Sequence, residues 1–171
     1  QFIIDNGFKK HLNFEHLDFI TQYEDSIELI ETICTYFETL NRSILYVLPL
    51  KGEYNEIISG SSLDILGMVA INFNCDKYVL AEQIVHEGTH NYFNLIIHSD
   101  ENIKEFVYNA PSGWSVYTKK IRPFELLMHG YLSYASVYYY WLELSSLDVV
   151  NYQTIANRME KIEQLLRSSI R

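Results

Sequence analysis

One stretch limits what this chain can fold into. Residues 77–97 carry Val79, Leu80, Ile84, Val85, Phe93, Leu95, Ile96 and Ile97, and in their midst stands His86-Glu87-Gly88-Thr89-His90. A helix this apolar around its circumference is a buried one. Buried imidazoles and a buried carboxylate need partners. His86 and His90 lie four residues apart, so on a helix they share a face about one turn apart. Two ring nitrogens aimed at one spot can hold a divalent metal, with Glu87 in reach of a metal-bound water. The plainer alternative, two surface histidines beside a salt-bridging Glu, sits poorly with so apolar a setting.

A metal site with an open coordination position needs a third protein ligand. His11 and His16 lie in a polar N-terminal stretch. His98 follows His90 by two turns and suits the helix C-terminus, where a cation meets the dipole. That leaves Arg122-Pro123-Phe124-Glu125-Leu126-Leu127-Met128-His129-Gly130, in which His129 sits among apolar neighbours with Glu125 one turn before it on the same face. Either His129 or Glu125 could complete the site. Gly88 costs a helix about 1 kcal/mol relative to Ala, which predicts a close neighbour there.

The rest of the chain reads as an α+β domain, mostly helical, over residues 1–171. A stripe of Leu17, Ile20, Ile27, Ile30, Cys34, Phe37 and Leu40 predicts one long helix or two short ones. Residues 43–51 and 68–73 read as strands of a small antiparallel or mixed sheet. The 68–73 strand is a candidate exposed edge for strand addition by a peptide. Asp76 suits the N-cap of a helix over 77–97. Residues 99–110 suit a short helix and 111–114 a turn. Pro123 suits the first position of a helix running to about residue 144. A last amphipathic helix over 149–168 places Ile155, Met159, Ile162 and Leu166 on one face. Of Tyr131, Tyr134, Tyr138, Tyr139 and Tyr140, not all can face the core.

The net charge is −9, from 13 Lys and Arg against 22 Asp and Glu, which argues against nucleic acid or an anionic membrane as partner. No run of 18 apolar residues is present. Cys34 and Cys75 have no metal-type spacing, and no signal-peptide pattern is visible, so the expected setting is cytoplasmic with reduced thiols.

Three blocks resemble a known family. They are Ser59-Gly60-Ser61-Ser62 with Leu66-Gly67; Gln83-Ile84-Val85-His86-Glu87-Gly88-Thr89-His90; and Arg122-Pro123 followed by His129-Gly130. In order and spacing, over roughly residues 59–140, they resemble the HExxH-motif peptide-modification proteins of ribosomal natural-product clusters, which are distantly zincin-like. The resemblance implies a zincin-like core, with the sheet packed on the HExxH helix. It also implies an α-ketoglutarate-dependent, non-haem iron enzyme that hydroxylates a β-carbon in a ribosomally made precursor peptide. By that resemblance His86, His90 and His129 are the Fe(II) ligands, and Arg122 binds a carboxylate of α-ketoglutarate, for which a guanidinium fork is suited. Glu87 then has no required base role. Two other readings stand beside it. One is a zinc metallopeptidase with Glu87 as general base, although His90 is followed by Asn91-Tyr92-Phe93-Asn94 and not by a third motif histidine. The other is a non-catalytic peptide-binding module.

Overall fold

A computed structural model of the chain describes residues 19–33, 36–50, 52–62, 64–147 and 149–169. His11, His16, Leu17 and Cys34 lie outside the described residues. The fold is α+β and mostly helical: 66% of the described residues are helix, and among them are two small sheets. No described helix is long and apolar enough to cross a membrane.

The N-terminal stripe forms two helices, α1 (Phe19–Ile33) and α2 (Tyr36–Arg42). Ile30, Phe37 and Leu40 are buried as the spacing requires, but Ile20 is exposed, and Tyr23 packs against the core one turn later instead. The next strands are β1 (Tyr46–Leu50), β2 (Ser59–Ser61) and β3 (Met68–Asn72). They form one mixed sheet in the order β1-β3-β2, with β1 parallel and β2 antiparallel to β3. The expectation that residues 68–73 form an exposed edge is therefore corrected. β3 is central and its last four residues are buried, and the edges are β1 and β2. Pro49 lies in β1, where an edge strand tolerates its missing N–H. Gly67 leads into β3 at φ +82°, and its carbonyl accepts from Leu45 and Tyr46 N–H. A side chain there would be strained and would meet Leu45.

Helix α3 (Lys77–Ser99) is the centre of the molecule, with most of its residues buried. Asp76 caps it as the sequence predicts, its carboxylate accepting from the N–H groups of Tyr78 and Val79. Gln83 fastens it to the sheet. Its amide donates to the Asn72 carbonyl at 3.1 Å and its oxygen accepts from Asn72 N–H at 3.3 Å. At Gly88 the chain does approach closely: an added Cβ would lie 3.2 Å from the Leu40 carbonyl oxygen, and Ser43 Oγ donates to the Gly88 carbonyl.

Helix α4 (Glu101–Asn109) follows, then a hairpin of β4 (Gly113–Ser115) and β5 (Lys120–Arg122). The expected turn at 111–114 thus gives way to a strand at Gly113, because Gly113–Ser115 finds a partner in Lys120–Arg122. Helix α5 (Phe124–Leu144) has Pro123 as its N-cap, one position earlier than predicted. A short 3-10 turn, Ser145–Leu147, breaks the chain before α6 (Tyr152–Ser169). The main core joins Leu80, Ile84 and Val85 of α3 to Val137, Tyr140, Trp141 and Leu144 of α5, with Val69 and Ile71 below and Ile155 and Ile162 of α6 alongside. Met159 and Leu166 pack on its border, so the predicted face of the last helix is the one used.

Candidate metal centre

Two helices build the centre. α3 supplies His86, His90 and Asn94, spaced by four residues and hence on one face. α5 supplies His129 with Leu126, Gly130, Ser133 and Tyr134, one stripe of a second helix facing the first. These side chains line an open cavity of ≈ 410 Å³, bordered on its other sides by Ser59–Ser61 of β2 and by Ser115, Tyr117, Thr118 and Arg122 of the hairpin.

The three histidines meet. His90 Nε2 lies 3.2 Å from His86 Nε2, and His90 Nδ1 lies 3.0 Å from His129 Nδ1. Two nitrogens bound to one metal at about 2.0–2.1 Å stand about 2.9–3.4 Å apart for bond angles between 90° and 109°, so each separation is of ligand size. The rings form a chain, however, because His90 uses opposite nitrogens toward its two neighbours. Among the described residues, no group of three or more His, Cys, Asp or Glu is set as it stands to hold a metal ion. One ring must turn before three donors converge. His129 has the freedom to gain by it, since its Nε2 is buried without a hydrogen-bond partner.

Chemistry favours the donor set. Burial holds all three imidazoles below their ordinary pKa, His90 and His129 to about 4, against a partial counter-effect from the Glu87 carboxylate. They are neutral at pH 7, the form that ligates metals. Glu87 is 2% exposed. Its Oε1 accepts from Ser59 Oγ at 2.7 Å and lies 4.0 Å from His86 Nε2, while its Oε2 is buried with no partner. Asn94 Oδ1 and both polar atoms of Asn91 are also buried and unpartnered. Each such atom costs about 1–3 kcal/mol. Three of the five, on Glu87, Asn94 and His129, belong to side chains that line the cavity, a polar set that fits a metal ion or a polar ligand.

Of the two candidates for the third position, His129 faces the cavity. Glu125 turns the other way and accepts from the Tyr108 hydroxyl of α4 at 3.4 Å. His98 is exposed in the last turn of α3, consistent with a C-terminal role. Arg122 lines the cavity at the end of β5, half-buried, its Nε donating to Thr118 Oγ1 at 3.4 Å.

The sequence argument missed several members. Ser59 was noted only within a matching block, and its bond to Glu87 required the sheet. Asn94 had a legible signal, the third place in the four-residue series His86, His90, Asn94. Tyr117 had none, whereas Tyr134 stood among the helix tyrosines that cannot all face the core. Their rings stack at 4.7 Å and 16°, and Tyr134 stands edge-on to His86 at 5.2 Å. Gly130 makes this possible, since a Cβ there would lie 2.8 Å from the Tyr117 ring. Tyr140, by contrast, belongs to the core.

No family model matches the chain, and no curated protein matches it in sequence.

Proposed function

We propose that this protein is a metal-dependent peptide hydroxylase of the α-ketoglutarate, non-haem iron type, with His86, His90 and His129 as the iron ligands. The observation that carries the reading is the meeting of three neutral histidines from two helices in one cavity that also contains Arg122. On this reading β2 and α3 are the sheet edge and HExxH helix of a zincin-like core. Iron(II) held there with α-ketoglutarate would supply oxygen activation: α-ketoglutarate, O₂ and a peptide C–H give succinate, CO₂ and the hydroxylated peptide. Three protein ligands would leave room at the metal for the co-substrate.

The chain's own residues have the remaining tasks. Arg122 holds a carboxylate of the acid by charge-assisted hydrogen bonds. Glu87, fixed by Ser59, orders solvent or a ligand ring beside His86. β2 is an edge strand along the cavity, so a ribosomally made peptide added beside it passes the histidines in extended form. The stacked Tyr117 and Tyr134 keep water from that wall.

One observation favours a second reading. The free Oε2 of Glu87 beside the histidines suits a general base on zinc-bound water, as in a metallopeptidase. Anaerobic addition of Fe(II) and α-ketoglutarate, followed by visible absorption, separates the two. A charge-transfer band that disappears in His129→Ala supports the oxygenase. Absence of the band, with zinc binding and peptide cleavage that requires Glu87, replaces it with the peptidase. If neither appears, a non-catalytic peptide-binding module is left.

A further inference from the structure

The cavity at the histidines is polarised along its length. Contacts between the two helices fix the sense. His86 meets the Tyr134 ring, His90 meets His129, and Phe93 and Ile97 pack with Phe124 and Met128. α5 therefore runs antiparallel to α3, so Asn94 lies toward the start of α5, the end that carries Arg122. Glu87, bonded to Ser59 beside His86, lies toward the other end. We propose that Asn94 is a co-substrate-binding residue, which with Arg122 holds the distal carboxylate of α-ketoglutarate. This rests on the oxygenase reading and on the role it gives Arg122.

Asn94 lines the cavity although only 2% of it is exposed. Its Oδ1 is buried without a partner, and its Nδ2 makes no hydrogen bond among the described residues. The amide is thus uncommitted to the fold, and its NH₂ has two protons to donate. Arg122 uses Nε to donate to Thr118 Oγ1, and it forms no ion pair among the described residues. That bond steadies the side chain and leaves the terminal Nη atoms, the fork suited to a carboxylate. The hairpin hydroxyls have the same polarity. Thr118 Oγ1 accepts from Arg122, and Ser115 Oγ accepts from Thr118 N–H at 3.3 Å, so the proton of each hydroxyl is left to donate elsewhere. This end of the cavity is therefore rich in donors, and the one acid among the lining residues, Glu87, is at the other end. An ionised carboxylate accepts hydrogen bonds and donates none, so it is the group that this end suits. The spacing agrees. Asn94 follows His90 by about 6 Å along the helix axis, the reach of a short diacid whose other end is at the histidines.

Glutarate is the probe, because it has both carboxylates but no 2-oxo group and asks nothing of a metal. It is titrated into metal-free ¹⁵N-labelled protein, and the Asn94 side-chain amide and Arg122 Nε–H resonances are followed. The expected result is a saturable shift of both. Asn94→Ala weakens binding about tenfold, the worth of one hydrogen bond to a charged group. Asn94→Asp keeps the shape but sets a like charge against the ligand, and weakens binding further. The circular dichroism of both variants is expected to match wild type. No shift at either resonance, or wild-type affinity in Asn94→Asp, overturns the proposal. A second titration, with Fe(II) and without oxygen, reads the charge-transfer band. There Asn94→Asp is expected to weaken α-ketoglutarate but not 2-oxobutyrate, which has no distal carboxylate. If glutarate binds as described but no band forms with Fe(II) and α-ketoglutarate, the carboxylate site stands and the oxygenase reading falls. If the band forms with equal α-ketoglutarate affinity in wild type and Asn94→Asp, the reverse holds.

Discussion

Glu82 and Glu87 lie five residues apart on α3, and both are shielded from solvent. Their surroundings differ in kind. Glu82 accepts from the Trp141 indole and faces Arg158, and its neighbour Gln83 is bonded to both the N–H and the C=O of Asn72. Glu87 has one oxygen on Ser59 and the other on nothing, and its neighbours His129, Asn91 and Asn94 carry orphaned atoms too. The first half-helix has completed its polar contacts within the chain, so its buried charge serves the fold. The second half has not, and it is the half that carries the candidate ligands. The same burial produces opposite consequences because a missing partner costs far more than a present one contributes.

This contrast can be broken by mutation. Glu82→Ala strands the Trp141 N–H and Arg158 and is expected to lower stability by about 3 kcal/mol, read as the midpoint of denaturant unfolding. Glu87→Gln is expected to leave it within about 1 kcal/mol. A large loss in the second variant would show that the Glu87 region is structural as well. His90→Ala is expected to weaken metal binding by more than about 100-fold, measured by calorimetry, because a ligand matters at least as much as its supporting partners. The circular dichroism of the metal-free protein should not change.

Acid sharpens the comparison, because the two regions have opposite signs. The histidines' folded pKa values lie below 6.5, two of them at about 4. Between about 4 and 6.5 the unfolded chain binds more protons than the folded one, so the metal-free protein loses stability as pH falls through this window. Burial raises the Glu82 pKa above the ordinary carboxylate value. There the folded state binds more protons, so stability falls as pH rises from about 4.5 through the raised value. Melting temperatures across pH 4–8 should fall on the acid side in wild type and flatten there in His129→Ala. Glu82→Gln should remove the opposing slope. The smallest effect is expected from Gly130→Ala. Ala favours a helix by about 1 kcal/mol, but the displaced Tyr117 ring offsets this, and unstacking from Tyr134 should appear as a change in near-ultraviolet circular dichroism with little change in melting.

Much of this molecule follows from local pattern. The apolar circumference of residues 77–97 requires a buried helix, Asp76 is an N-cap by chemistry, and four-residue spacing places His86, His90 and Asn94 on one face whatever surrounds them. The Ile155, Met159, Ile162, Leu166 face of the last helix is equally local. Other features depend on contacts between distant segments, which periodicity does not encode. Residues 68–73 alternate as an edge strand would, but pairing on both sides made them central. His129 and Glu125 are equivalent on the sequence of α5, one turn apart. Only the packing of α5 on α3, with α4 placed to bond Glu125, turned His129 toward His90. Ser59 met Glu87 because β2 became an edge beside α3. Arg158, on an amphipathic helix like many others, met Glu82 only when α6 folded back across the far side of the histidines.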